Sequence, residues 1–255
     1  MKLNSQQNLI IVIFLYLQLI SLKTFSAERS KTSFQAGIGY NYSSEYLKTG
    51  DNSTPALPII NFETDHFFLK GLTLGYKLYN NWPQINLILN PYMLEIDNEE
   101  NTYNEEMRKR RRTLHAGIQI SIPFPFGIFR AQAEQDILTI HKSNLLSLSY
   151  SKRFSLSEKW QLIPGFFYTR QTKTLTNYYF GIQNNEVKPN RSQYTAGNSY
   201  VSGPMVNSIY ILAPENNLAL NLSVKYQFFS KSIKNSPLVK EDHQISSFIG
   251  IMKGF

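Results

Sequence analysis

The sequence contains no cysteine. That absence excludes thiolate catalysis, cysteine-ligated zinc and a lipid-modified N-terminal cysteine. It also leaves an exported chain without disulfide staples. Long apolar runs are equally scarce. After residue 27 no stretch approaches the ~18 apolar residues of a membrane-crossing helix, so any later crossing has to use strands. Neither a glycine-rich phosphate loop nor a His-Glu-x-x-His helix is present, which removes the commonest nucleotide and zinc-hydrolase signatures. Tryptophan occurs only twice, but 16 tyrosines and 17 phenylalanines bias the chain toward strands and membrane interfaces.

Hydrophobic residues make up 42% of the chain, yet the mean hydropathy is −0.29. Apolar residues are therefore plentiful but diluted by polar ones, as in strands with one face of each kind. The formal net charge is +8, and removing Lys2 and Lys23 with the first 27 residues leaves +6. The one dense basic run, Arg108-Lys109-Arg110-Arg111-Arg112, follows Glu99-Glu100 and Glu105-Glu106. Alternating blocks of charge read as a solvated loop, and without interleaved stacking residues they give no nucleic-acid footprint. At an outer membrane the same charge suits anionic lipopolysaccharide.

Met1–Asn8 is polar and carries Lys2, Leu9–Ile20 is a 12-residue apolar run, and Ser21–Ala27 is small and polar. This is the order of a secretory signal peptide, with cleavage expected after Ala27, or after Ser26. Residues 28–255 then form one domain.

Period-2 alternation recurs along that domain. Phe34, Ala36, Ile38, Tyr40 and Tyr42 share one face of their segment, and Leu218, Leu220, Leu222, Val224, Tyr226 and Phe228 share another. Around Ala131 and Ala133 the opposite face carries Arg130, Gln132, Glu134 and Asp136, charges that call for a wet lumen. Eleven strand-like segments emerge: 33–42, 56–63, 66–79, 84–95, 112–122, 126–138, 145–154, 159–170, 205–213, 218–229 and 244–255. Several are longer than the ~5–6 residues of soluble strands. Short turns (123–125, 155–158, 214–217) alternate with long polar loops (43–55, 97–111, 171–204, 230–243). The expected fold is an all-β, antiparallel transmembrane β-barrel in the outer membrane of a Gram-negative bacterium. Bacterial single-chain barrels have an even number of strands. Gly71 splitting 66–79 gives 12, and merging two segments would give 10. Ile245–Phe255 ends on an aromatic residue in the manner of barrel assembly signals, with Lys253 departing from the pattern.

Chemistry is sparse. Of the four histidines, His66, His115, His141 and His243, only His141 has Ser143 and Asp136 nearby, and residues two apart on a strand share a face without defining a triad. His115 with Glu134 across neighbouring strands supplies two metal ligands, too few for a zinc site. No residue is assigned a catalytic, cofactor-binding or metal-binding role, and no cofactor is expected.

Several motifs occur in a recognisable order: Phe34–Gly71, with its polar loop, Leu-Pro strand and Phe-Phe-Leu strand; Tyr178-Tyr179-Phe180-Gly181-Ile182; Tyr194-Thr195-Ala196-Gly197; and Ser236-Pro237-Leu238-Val239. In these the chain resembles the MipA/OmpV family of MltA-interacting outer-membrane proteins. The extra Phe180, the 97–112 loop and Lys253 depart from the family pattern. The resemblance implies a monomeric or weakly associated barrel and a non-enzymatic scaffold role between a lytic transglycosylase and a murein synthase. A small-solute outer-membrane pore is the alternative reading, and an adhesin based on the 171–204 loop a further one.

Overall fold

A strand that alternates polar and apolar residues can satisfy water on one face and lipid on the other only if its backbone is fully paired. The computed structural model describes residues 32–48, 56–96 and 102–255, and shows how that pairing is achieved. The strands are β1 (Ser33–Ser43), β2 (Ala56–Glu63), β3 (Phe67–Lys70), β4 (Thr73–Asn80), β5 (Gln84–Tyr92) and β6 (Thr113–Phe124). There follow β7 (Gly127–Asp136), β8 (Asn144–Ser151, continued by Phe154–Ser155), β9 (Trp160–Gln171), β10 (Ser199–Ala213), β11 (Leu218–Phe229) and β12 (His243–Gly254). Each pairs antiparallel with its neighbour, and β1 closes on β12 from Gln35↔Gly254 to Ser43↔Ser246. The result is a closed 12-stranded barrel. Gly71, at φ 60°, does turn the chain between β3 and β4, so the expected division of 66–79 is where the even count comes from. The expected signal peptide lies outside the described residues.

The outward face is apolar. Ile38, Leu74, Leu87, Ile118, Leu146, Val206, Leu222, Val224, Ile249 and Ile251 are all exposed. Trp82, Phe124, Phe126, Phe154, Trp160 and Phe255 lie near the end where the turns are short, the end that faces the periplasm in such barrels. Lys253, the odd residue of the last strand, also faces outward there. Its Nζ lies 5.4 Å from the Phe255 ring centroid, where the ammonium can reach the interface.

The wall is not uniform. The β3–β4 hairpin is short, and among the described residues no strand pairs with β2 from Ala56 to Ile59 or with β5 from Pro91 to Tyr92 on that side. The resulting notch is flanked by two prolines. The Ile60 carbonyl accepts from Gly71 N–H, so Ile60, and Pro58 two residues before it, face the notch. Leu114 faces β7, accepting from Ile137 N–H, so Pro91 opposite it also turns away from β6 and toward the notch. Each proline removes a donor that an unpaired edge would expose.

The described parts of the long connections are not solvated loops, which corrects the reading from charge and composition. Helix α1 (Lys173–Phe180), a 3-10 turn (Asn184–Glu186) and the single helical turn α2 (Lys231–Lys234) fold across the outer mouth of the barrel. Together with residues 44–48, 93–96, 102–112 and 236–239, and with inward wall residues such as Phe167 and Met205, they form the main apolar core of the described residues, including Tyr46, Leu47, Ile96, Leu175, Tyr179 and Leu238.

Candidate functional site

The lumen has two halves of different character. In the outer half, the cap is held together by charged residues that the sequence reading left in solvent. Arg110 is fully buried. It donates from Nη2 to the Gly181 carbonyl at 2.7 Å and to Glu186 Oε2 at 3.2 Å, and from Nε to the Tyr178 carbonyl at 3.3 Å. Glu186 also accepts from Gln183 N–H and Arg108 N–H, both at 2.9 Å. Burial opposes ionisation of this carboxyl, but those donors and the Arg110 charge hold it below its ordinary value. Arg191 donates to the carbonyls of Glu186 at 2.8 Å, Glu105 at 3.0 Å and Tyr103.

The motifs that carried the family resemblance meet in this cap. Ile182 bridges Tyr194, Ala196 N–H donates to Asn177 Oδ1 at 2.9 Å, and Ser236 Oγ donates to the Phe180 carbonyl at 2.6 Å. Val239 pairs with Leu47 from the neighbouring loop, across the seam between β12 and β1. A Cβ at position 181 would sit 2.4 Å from the Asn177 carbonyl oxygen, which accounts for the glycine. Segments far apart in sequence therefore recur together because they build one plug.

Beneath the plug lies the histidine pair. His115 and His141 face each other through Nε2 at 3.3 Å, among the rings of Tyr92, Tyr178 and Tyr179. Ser143, His141 and Asp136 are brought together, but not as a triad. Ser143 Oγ and Asp136 Oδ2 both approach His141 Nδ1, at 2.5 and 3.4 Å, while Nε2 is occupied by His115. A nucleophile and an orienting acid must sit on opposite ring nitrogens for proton transfer to work. Burial holds the His141 imidazole below its ordinary value against the pull of Asp136, so it is neutral near pH 7. Asp136 instead ties down the 137–143 loop, accepting from the N–H groups of Leu138, His141 and Lys142 at 3.1, 2.7 and 2.9 Å. His115 and Glu134 do not form the metal pair considered from sequence: Glu134 accepts from Asn90 Nδ2 at 3.0 Å. Among the described residues no three His, Cys, Asp or Glu side chains gather to hold a metal.

Midway down, inward-facing side chains hydrogen-bond between neighbouring strands of the wall, among them Thr73–Asn90 at 2.6 Å, Asn86–Gln119 at 3.1 Å and Gln227–Gln244 at 2.9 Å. Gln132, Glu134 and Asp136 do point inward as expected, but all three are buried rather than open to water. Below them the inner half opens into a chamber of about 440 Å³ at the short-turn end. Its walls carry Lys70, Lys77, Arg130, Lys152 and Arg153, with Glu63 as the one carboxylate. Only Arg130 was singled out from sequence. Lys70 and Lys77 were legible by parity, because they alternate with the outward-facing Leu69, Tyr76 and Leu78.

Fold and lumen define a class: an outer-membrane β-barrel whose outer mouth is filled by its own folded loops. Residues 36–255 match the family model of MltA-interacting protein MipA, and the chain belongs to that family. It is 25% identical over 230 residues to the outer membrane protein YiaT of Escherichia coli, spanning 89% of this chain and 92% of that one. It is 24% identical to outer membrane protein OmpV of Vibrio cholerae over 82% and 81% of the two chains. The MltA-interacting protein of Escherichia coli is 22% identical over 60% of this chain and 62% of its own. Among solved structures, the NanC porin overlays with a TM-score of 0.39 at 9% identity, covering 86% of this chain and 98% of that one.

Proposed function

We propose that this protein is a non-enzymatic anchor in the outer membrane that presents its short-turn face to the murein-processing machinery, a lytic transglycosylase and a murein synthase in particular. Export by the Met1–Ala27 signal peptide, embedding in lipid and lipopolysaccharide, and docking from the periplasmic side make up this reading. The observation that carries it is membership of the MltA-interacting family over residues 36–255. The filled outer mouth supports the same direction, because the accessible chamber opens at the short-turn end. A through-pore for small solutes draws no support from a lumen whose outer mouth is filled by folded loops.

The test is in-membrane photocrosslinking from Ser157 and Glu215, both exposed in short turns. Capture of a murein hydrolase or synthase is expected from these positions and not from the cap. Absence of any such adduct in native membranes overturns the reading.

A further inference from the structure

We infer that the inner chamber is a binding site for a small anion bearing carboxylate or phosphate groups, entering from the periplasmic end. This inference does not depend on the scaffold role. Five basic side chains line one cavity against a single carboxylate. That carboxylate is already engaged: Glu63 pairs with Lys70 at 2.9 Å and with Lys77 at 2.6 Å. One negative charge thus faces two ammonium groups before Arg130, Lys152 and Arg153 are considered. Bringing so many like charges into one enclosed space raises their mutual repulsion, and a guest anion relieves it.

A second observation points the same way. Gln119 is 3% exposed and lines the chamber, its Oε1 accepting from Asn86. Its Nε2 is buried without a hydrogen-bond partner. A buried unsatisfied donor costs about 1–3 kcal/mol, and an oxyanion in the chamber would remove that cost. The unsatisfied group is an N–H donor, which suits an anion's oxygen. Arg130, whose Nε donates to Ser121 Oγ at 3.2 Å, is held between strands β6 and β7 and lines the space with a permanent positive charge. The volume, about 440 Å³, admits a di- or tricarboxylate or a pyrophosphate. A folded domain is too large to enter.

The experiment uses the full mature barrel in neutral detergent, titrated calorimetrically with citrate and, separately, with inorganic pyrophosphate. Binding of at least one probe, weakening as salt rises, is expected. Citrate alone would identify a carboxylate ligand, pyrophosphate alone a phosphate ligand. Arg130→Gln should weaken binding by about tenfold or more, the loss of one charge-assisted hydrogen bond. Arg130→Lys, which keeps the charge, should lose less. Folding of each variant is checked by heat-modifiable migration on gels, and K77Q serves as a second variant should R130Q not assemble. Failure of both probes to bind the wild type overturns the inference. So does binding that neither R130Q nor K77Q weakens.

Discussion

Arg110 and Glu186 show how much one buried pair can decide. Both side chains are fully buried, at 3.2 Å, inside the cap. Removing one partner of such a pair strands the other charge in a low-dielectric setting, at about 3–5 kcal/mol. Glu186→Gln is therefore expected to loosen the cap while leaving the barrel intact. Limited proteolysis of loop 102–112 should become rapid, with the heat-modifiable mobility of the barrel unchanged. The same carboxyl sets a pH dependence. Its value in the folded cap lies below the ordinary one, so the open cap binds the proton more readily. The stabilisation is full above a pH of about 4.3, the unperturbed glutamate value, and is lost as the pH falls through the folded value. Protease sensitivity of the cap should accordingly rise on acidification and be less dependent on pH in E186Q. Lys225 is the opposite case. It is buried inside the barrel with its Nζ 3.6 Å from the Phe167 ring centroid, and cation–π contact offsets only part of its desolvation. Lys225→Met should stabilise the barrel by about 1 kcal/mol or more, read as a higher temperature of gel-shift unfolding. A lower temperature would show that Lys225 has a partner that matters.

At the scale of elements, the strands were largely legible because lipid and lumen impose opposite demands on alternate residues. The 56–63 segment coincides with β2, and the glycine break in 66–79 supplied the even count. Where prolines interrupt a strand, the ladder is interrupted too. Besides Pro58 and Pro91 at the notch, Pro164 faces the break in β8, its carbonyl accepting from Lys152 N–H. Pro204 falls where β10 and β11 register passes from Ser202↔Phe228 to Met205↔Lys225 with no pair between. Sequence reading placed the start of β10 at 205 instead of Ser199; the structure carries the strand through Gly203-Pro204. The loops were illegible for a different reason. Their apolar residues follow no period, and their partners lie in other loops, so neither Arg110 nor Tyr179 announces its burial locally. Glycine also matters at the seam. A Cβ on Gly37 would lie 2.1 Å from the Ile251 carbonyl oxygen and 2.9 Å from the Met252 Cα, both backbone atoms. Gly37→Ala should push β1 and β12 apart and lower the yield of folded barrel in outer-membrane fractions. The control is Gly197→Ala, whose nearest neighbour is Ser232 Oγ at 3.4 Å, and which should assemble normally.

For the whole molecule, the decisive feature is the asymmetry between a plugged outer half and an open inner one. The plug supplies 12 of the 19 buried residues of the apolar core, the other seven coming from the barrel wall, so it is a packed core rather than a fringe of mobile loops. Burial of that size favours one closed state, because each large side chain contributes about 1.5–3 kcal/mol when removed from water. The protein reconstituted in planar bilayers should therefore show no steady conductance. Replacing residues 174–197 by a short Gly-Ser linker removes Leu175, Tyr179, Phe180 and Ile182 from the plug, together with Glu186 and Arg191. That variant should pass current, with a preference for anions imposed by Lys70, Lys77 and Arg130 in the chamber below. E186Q, with the plug loosened rather than deleted, should flicker between the two levels. Steady conductance of the wild type equal to that of the deletion would mean that the folded loops do not seal the mouth, and the protein would then have to be treated as a channel. Silence of both would place the seal lower, among the buried inward side chains Asn86, Asn90, Gln119 and Glu134, where substitution by alanine is the next way to open it.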